Sequence, residues 1–243
     1  MAHVPASPPT PLTITWLGHS AFRFDTPGGK GVLIDPWLEN PNAPPGALRQ
    51  SNVQLILVTH GHSDHIGNTV ALAKSTGADV IAIHEVALYL KKKGVAKVTG
   101  MNKCGTVSLH GIGVIMVDAK HSSGIDTEAE VMAGADPAGF VIRFEDGTAV
   151  YHAGDTAVFL DMQLFRELYA PAVAILPIGG LYTMGPVEGA KAAELLDPRI
   201  IIGMHYGTFP PLAGTPQQLR EALPASMRDR VRELRPGVPE TLS

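Results

Sequence analysis

The run Thr59-His60-Gly61-His62-Ser63-Asp64-His65 sets three imidazoles and a carboxylate within a few consecutive positions, directly after the apolar stretch Leu55-Ile56-Leu57-Val58. Neutral imidazole nitrogens and carboxylate oxygens are donors that divalent transition ions accept, and a buried strand opening into such a set is a way to hold a metal at a sheet edge. The competing reading is a solvated polar loop after a strand. The metal reading directs the search for the other donors.

A metal site needs its remaining ligands from elsewhere in the chain, and other strand ends are their natural source. His121 follows Val114-Ile115-Met116-Val117-Asp118-Ala119-Lys120, Asp155 follows Val150-Tyr151-His152-Ala153-Gly154, and His205 follows Ile200-Ile201-Ile202-Gly203-Met204. Each is a ligand type standing where an apolar stretch runs out. His110 competes with His121 but lies just before Gly111-Ile112-Gly113, at the start of a strand. His152 is three residues from Asp155, so in a regular strand the two point to opposite faces. Asp35, ending Ile34-Asp35-Pro36, is either an acceptor for a metal-bound imidazole or a turn residue before proline. His19, in Gly18-His19-Ser20, is a candidate catalytic residue, as proton donor or substrate ligand, or else a buried structural histidine. His84 reads as the first turn of a helix. Tyr182, Thr183, Met184, Tyr206 and Thr208 are candidates for the pocket wall, with ordinary loop packing as the alternative. Ser122-Ser123 lacks the surroundings of a nucleophilic serine.

The elements that position these residues follow from apolar periodicity. Thr13 to Phe24 alternates around Gly18, Val32 to Ile34 is a short strand, and residues 37–50, rich in proline and asparagine, form a surface loop. Leu55 to Thr59 is a buried strand, Asn68 to Ser75 a short helix, Val80 to Ile83 a strand and Glu85 to Lys93 a helix closed by Gly94. Short strands follow around Val98, Val107 and Val114 to Val117. Phe140 to Phe144 and Thr148 to Ala153 form a hairpin across Glu145-Asp146-Gly147. Val158 to Tyr169 reads as an amphipathic helix, Val173 to Ile178 as a strand, Pro186 to Leu196 as a helix, Arg199 to Met204 as a strand and Pro216 to Leu223 as a last helix. Strands interspersed with helices in both halves predict two sheets face to face with helices outside. No linker divides the chain, so residues 12–243 are expected to form one domain behind a flexible arm at residues 1–11.

Composition narrows the function. The chain has 243 residues, is 45% hydrophobic and 17% charged, and carries a formal charge of -4. Its longest basic run is Lys91-Lys92-Lys93, which argues against a polyanionic partner such as nucleic acid. The single Cys104 excludes an intramolecular disulfide and fits a reducing compartment. No signal peptide and no apolar run of about 20 residues is present. These features predict a cytoplasmic protein that acts on a small molecule without a membrane; a homo-oligomer is open.

The pattern His60-x-His62-x-Asp64-His65, followed in order by His121, Ala153-Gly154-Asp155-Thr156 and His205, resembles the metallo-β-lactamase superfamily. Trp16-Leu17-Gly18-His19-Ser20, Leu176-Pro177-Ile178-Gly179-Gly180 and Met204-His205-Tyr206-Gly207-Thr208-Phe209 are similar to segments of its small bacterial metal-dependent hydrolases related to the ascorbate-phosphate lactonase group. The resemblance runs from about Leu12 onward. It implies an αββα sandwich with a two-metal site at one sheet edge, usually zinc, with manganese, iron, cobalt or nickel as other ions that such donors accept. It further implies that His60, His62 and His121 hold the first ion, that Asp64, His65 and His205 hold the second, and that Asp155 bridges them. A carboxylate can span two ions about 3.5–4 Å apart, and such a pair delivers hydroxide at neutral pH. The expected activity is hydrolysis of a small ester, lactone or phosphorylated metabolite, with Asp64 helping to orient the hydroxide. A phosphodiesterase or nuclease, and a non-enzymatic metal-holding protein, are the alternatives. The segment 124–138, rich in Glu, Gly and Ala, reads as an inserted loop that borders the site.

Overall fold

In a computed structural model, residues 11–126, 131–132 and 135–242 are described. The arm expected at residues 1–11 therefore falls, up to residue 10, outside the described residues, as do residues 127–130 and 133–134 of the inserted segment.

The first half lays down β1 (Thr13–Trp16), β2 (Phe22–Asp25), β3 (Gly31–Ile34), β4 (Val53–Val58), β5 (Asp79–Ile83) and β6 (Val98–Met101). Between them run α1 (Ser63–Ile66), α2 (Thr69–Thr76) and α3 (His84–Lys92). The second half lays down β7 (Thr106–Leu109), β8 (Ile112–Asp118), the small pair β9 (Ile125–Asp126) and β10 (Val131–Met132), then β11 (Ala138–Arg143), β12 (Ala149–His152), β13 (Val173–Pro177), β14 (Ile200–Met204) and β15 (Val231–Arg232). Its helices are α4 (Met162–Tyr169), α5 (Pro186–Leu196) and α6 (Pro216–Ala222), and the chain returns to the first half as β16 (Pro239–Thr241).

The strands form two seven-stranded sheets, in the orders β16-β1-β2-β3-β4-β5-β6 and β15-β14-β13-β12-β11-β8-β7. Each is antiparallel in one part and parallel in the other: β3 through β6 run parallel, as do β12 through β15. Parallel strands need helical crossovers that cover the outer faces, and this is why β3, β12 and β13 are buried along their whole length. The inner faces meet in one core, where the Phe24 and Phe144 rings lie 5.3 Å apart across the two sheets. The result is the expected αββα sandwich. No helix among the described residues is long and apolar enough to cross a membrane.

One helix starts later than its periodicity predicts. Val158 and Phe159 pack against the core as half-buried residues, but Ala157 N–H donates to Lys120 C=O (2.9 Å), which ties the chain across to the end of β8. A turn at 160–161 follows, and α4 begins only at Met162.

Candidate metal centre

The chemistry-bearing residues stand at the carboxyl ends of strands, where ligands of parallel sheets collect. Asp35 follows β3, Thr59 and His60 follow β4, His121 lies beyond β8, Asp155 beyond β12, and His205 directly after β14. The short helix α1 begins inside the donor run, placing Asp64 and His65 in its single turn and His62 as its N-cap. Backbone strain gathers here too: Asp35 (φ 45°), His19 (φ 49°) and His205 (φ 55°) all occupy the left-handed region that non-glycine residues avoid.

Two glycines allow close approaches at the site, Gly154 between the two halves and Gly179 within the second sheet. Gly154 has φ +60°, and a Cβ there would lie 2.7 Å from Ala138 O and 2.9 Å from Thr59 Cβ. Thr59 C=O also accepts from Ala138 N–H at 3.1 Å, so the ends of β4 and β11 meet directly. At Gly179 a Cβ would run into the carbonyl oxygen of His205. Larger residues at either position would push the donors apart.

The donors fall into three groups, and the third, His60, His65 and Asp155, shares a residue with each of the other two. His60, His62 and His121 each offer a ligand atom within 4.8 Å of the others, as do His19, Asp64, His65 and His205. Asp155 lies between: its Oδ2 is 3.6 Å from His121 Nε2, 3.4 Å from His65 Nε2 and 3.1 Å from His205 Nε2. All seven residues named from sequence as metal ligands are therefore brought together. Five of them, His62, Asp64, His121, Asp155 and His205, line a cavity of about 130 Å³ together with Ser122 and Tyr182, while His60 and His65 are fully buried.

Asp35 organises two of the imidazoles. Its Oδ2 faces His65 Nδ1 (2.8 Å) and Thr59 Oγ1 (2.7 Å), while its Oδ1 accepts from Thr59 N–H (2.8 Å). A carboxylate only accepts, so Thr59 must donate its hydroxyl proton to Asp35. That leaves the Thr59 oxygen to accept from His60 Nδ1, 3.0 Å away. Both His60 and His65 thus carry their proton on Nδ1 and turn an Nε2 toward the donor cluster. One buried carboxylate presets two tautomers, as the outer partner of a metal-ligating histidine does. Thr59 is part of this chain although the sequence did not single it out; its only signal is its place between strand and donor run.

His19 sits behind Asp64, fully buried, and does not line the cavity. Its Nε2 is 3.0 Å from Asp64 Oδ2 and its Nδ1 is 2.8 Å from Thr208 Oγ1. Because Asp64 accepts, a neutral His19 donates from Nε2 and receives the Thr208 hydroxyl at Nδ1. The His19 carbonyl accepts from Trp16 Nε1 (2.9 Å) and from His205 N–H (3.1 Å), which fastens this loop to the end of β14.

Burial and charge set opposite protonation states within a few ångströms. Burial drives the His60 imidazole well below its ordinary pKa, with His65 adding to the effect, and burial also lowers His121. Burial lowers His19 to about 4. His65 goes the other way: burial opposes its charge, but Asp155, Asp35 and Asp64 outweigh it and raise the pKa well above the usual value. Burial alone would raise both carboxylates; His65 and His205 instead hold Asp155 well below the ordinary range, and His65 and His19 lower Asp64. The protein alone keeps two anionic carboxylates at neutral pH with positive charge between them at His65.

The competitors lie elsewhere. His110 Nε2 pairs with Asp79 Oδ2 at 2.9 Å in a part-exposed position, and His84 is the first residue of α3. His152 Nε2 bonds Ser20 C=O at 3.1 Å, and its Nδ1 accepts from Gly154 N–H at 3.2 Å. Tyr206 stacks on Trp16 with ring centroids 5.2 Å apart.

Comparison with known proteins agrees with this geometry. The profile of the β-lactamase superfamily domain matches residues 13–205. A UPF0173 metal-dependent hydrolase of Koribacter versatilis (strain Ellin345) is 46% identical over 227 residues, covering 93% of this chain and 96% of that one. A UPF0173 metal-dependent hydrolase of Methanosarcina mazei is 48% identical over 227 residues, with the same coverage. Among solved structures, a metallo hydrolase from the hyperthermophilic archaeon Ignicoccus hospitalis KIN4/I superposes with a TM-score of 0.84 at 37% identity, covering 96% of this chain and 99% of that one.

Proposed function

This chain belongs to the β-lactamase superfamily as a metal-dependent hydrolase, and we propose that it hydrolyses a small ester, lactone or phosphorylated metabolite at a two-ion centre. In this reading His60, His62 and His121 hold one divalent ion, Asp64, His65 and His205 hold the other, and Asp155 reaches both.

The observation that carries the reading is the set of buried polar atoms with no hydrogen-bond partner among the described residues. His65 Nε2 and Asp155 Oδ1 are in this state, and both residues belong, with His60, to a group whose ligand atoms lie within 4.8 Å of one another. A buried polar atom without a partner costs on the order of 1–3 kcal/mol, so such atoms at one place call for a ligand. The donors are imidazole and carboxylate, which fit zinc and neighbouring divalent ions. Two such ions, when bound, supply a Lewis acid for the scissile carbonyl or phosphoryl oxygen and hydroxide at neutral pH.

The chain's own residues have distinct tasks. Asp35 and Thr59 fix the tautomers of His60 and His65. Thr208 and His19 hold Asp64 through its Oδ2, so His19 acts as a positioning residue behind Asp64. The cavity admits a reacting group beside Asp64 and Asp155 and little more. Hydrolysis adds one water across the scissile bond, giving an acid and an alcohol. A cytoplasmic setting accompanies this reading, in keeping with the free, exposed Cys104.

The test is elemental analysis of the purified protein together with a panel of lactone, ester, phosphomonoester and phosphodiester substrates. Retained divalent metal, and hydrolysis lost both on chelation and in Asp64→Ala, are expected. Absence of metal, or undiminished hydrolysis in Asp64→Ala, overturns the reading.

A further inference from the structure

A cavity of about 130 Å³ at the donor cluster has room for roughly four waters at ~30 Å³ each. It takes the reacting group of a substrate, and the rest of the substrate must lie outside it. Tyr182 belongs to the wall of this cavity and also to that of a neighbouring groove of about 430 Å³. Tyr182 is the residue common to both linings, so the groove lies next to the cavity.

The chemistry of the groove differs from that of the cavity. Its walls are Ala157 and Val158 on one side, the loop Gly180–Gly185 on the other, and Glu188. Val158, Leu181, Met184 and the Tyr182 ring supply apolar surface, and among the described residues no lysine, arginine or histidine lines it. Its one carboxylate is already engaged, since Glu188 Oε2 accepts from Gly185 N–H at 3.1 Å. The cation that follows β8, Lys120, is bound to Asp118 Oδ2 at 3.1 Å and lies over the Phe159 ring. A phosphate or polyanion would find no free positive partner in the groove.

The loop is built to present apolar groups. Gly180 N–H donates to Met184 C=O (3.0 Å), Tyr182 N–H to Gly180 C=O (2.7 Å), and Met184 N–H to Thr156 C=O (3.3 Å), which close the loop on itself and on the segment after Asp155. Leu181 is held at φ 57°, a conformation costly for leucine, with 69% of its surface exposed; Tyr182 is 61% exposed. Two large apolar side chains held outward in the wall of the groove, Tyr182 shared with the metal cavity and Leu181 on a strained backbone, mark a ligand clamp.

We propose that the groove between Val158 and the Gly180–Gly185 loop is an acyl site, which takes the alkyl chain of an uncharged ester or lactone whose carbonyl enters the metal cavity. This rests on the hydrolase reading above and narrows its substrate class. Hydrolysis of such a substrate adds one water across the acyl C–O bond, releasing the alcohol and leaving the carboxylic acid, which loses its proton to solvent.

The test uses the metal-loaded full chain and the p-nitrophenyl esters of acetate, butyrate, hexanoate and octanoate, with p-nitrophenyl phosphate beside them. The wild type should show kcat/KM rising about 2- to 4-fold per methylene from butyrate to octanoate. In Leu181→Asp the octanoate-to-acetate ratio should collapse toward one; aspartate tolerates the left-handed backbone better than leucine, so folding is not at stake. Calorimetric titration gives a readout without turnover: octanoate should bind at least tenfold more tightly than acetate, and the variant should lose that advantage. A flat chain-length profile with ester turnover intact, or octanoate binding no better than acetate, overturns the acyl site and leaves the hydrolase reading standing. Turnover of no ester fails the hydrolase reading for esters, and the titration then judges the groove alone. A wild-type dimer that Leu181→Asp splits, with a flat chain-length profile, overturns the proposal in favour of an interface between copies.

Discussion

Asp35→Asn is the sharpest perturbation of the centre, because it changes one atom and replaces no residue of the proposed ligand set. Asp35 is fully buried and accepts three hydrogen bonds, two from Thr59 and one from His65. An asparagine can keep its oxygen at the Oδ2 position, toward Thr59 Oγ1 and His65 Nδ1, but its NH2 then faces the Thr59 N–H donor at the former Oδ1. One buried donor pair is left unmet, which costs about 1–3 kcal/mol, and the charge assistance to His65 is lost as well. The flipped amide satisfies the Thr59 N–H, but it donates toward His65 Nδ1. His65 must then move its proton to Nε2, the atom that faces Asp155.

Either orientation harms the centre, by different routes. With both effects together, the metal-free protein should lose about 3–5 kcal/mol, the cost of breaking a buried charged pair from one side. Metal affinity should fall about 10- to 100-fold. The assays are denaturant unfolding of the metal-free protein and titration of Co2+ or Zn2+ against a competing chelator. Asp118→Asn is the control, since Asp118 pairs with Lys103 and Lys120 away from the site and its loss should leave metal affinity unchanged. An Asp35→Asn protein that binds metal with wild-type affinity would refute the tautomer chain from Asp35 through Thr59 to His60.

Three further outcomes are expected. Gly179→Ala should cost about 1–3 kcal/mol in chemical denaturation and weaken metal binding, because its methyl group collides with the His205 carbonyl; wild-type stability would show that the loop simply shifts. Burial holds His152 near 4 in the folded protein against 6.5 unfolded, so between these values only the unfolded chain takes the proton, and stability falls with acidification by about 1.4 kcal/mol per pH unit, roughly 3 kcal/mol in all. Above 6.5 neither state is protonated there and below about 4 both are, so metal-free His152→Gln should differ from wild type by a shallower slope within that window alone; parallel curves would count against a neutral buried His152. Thr208→Val keeps the shape of the side chain but leaves His19 Nδ1 without its hydroxyl; it should lower kcat with metal content retained, and an unchanged kcat would remove Thr208 and His19 from the support of Asp64.

The donor run at His60–His65 is legible because its residues are neighbours in sequence and follow an apolar strand. His121, Asp155 and His205 are legible for a related reason: strand ends are marked by the loss of apolar character, and a polar donor there is conspicuous. Asp35 is ambiguous in sequence because Asp-Pro is also a turn, and only the contact with His65, thirty residues away, decides between the readings. Thr208 stands out in sequence as a candidate for the pocket wall, but its role is beyond reach of local pattern, since its hydroxyl bonds His19 at a separation of 189 residues. The same limit hides β16: Pro239-Glu240-Thr241 has no strand periodicity and becomes a strand because β1 offers it an edge. Apolar spacing also overextends α4, because Val158 and Phe159 are apolar for packing rather than for helix formation.

The way the donors divide between the sheets bears on stability as well as on chemistry. His60, His62, Asp64 and His65 come from the end of the first sheet, and His121, Asp155 and His205 from the second. Each set by itself leaves a buried atom unmet, His65 Nε2 on one side and Asp155 Oδ1 on the other. Their closest approach, 3.4 Å from His65 Nε2 to Asp155 Oδ2, is an ion pair across the seam rather than a hydrogen bond. An ion bound by both sets therefore fastens one sheet to the other, and its binding energy adds to the stability of the folded state. The strained backbone at Asp35 and His205 fits this arrangement, with each half holding its donors in a costly conformation that a shared ligand offsets.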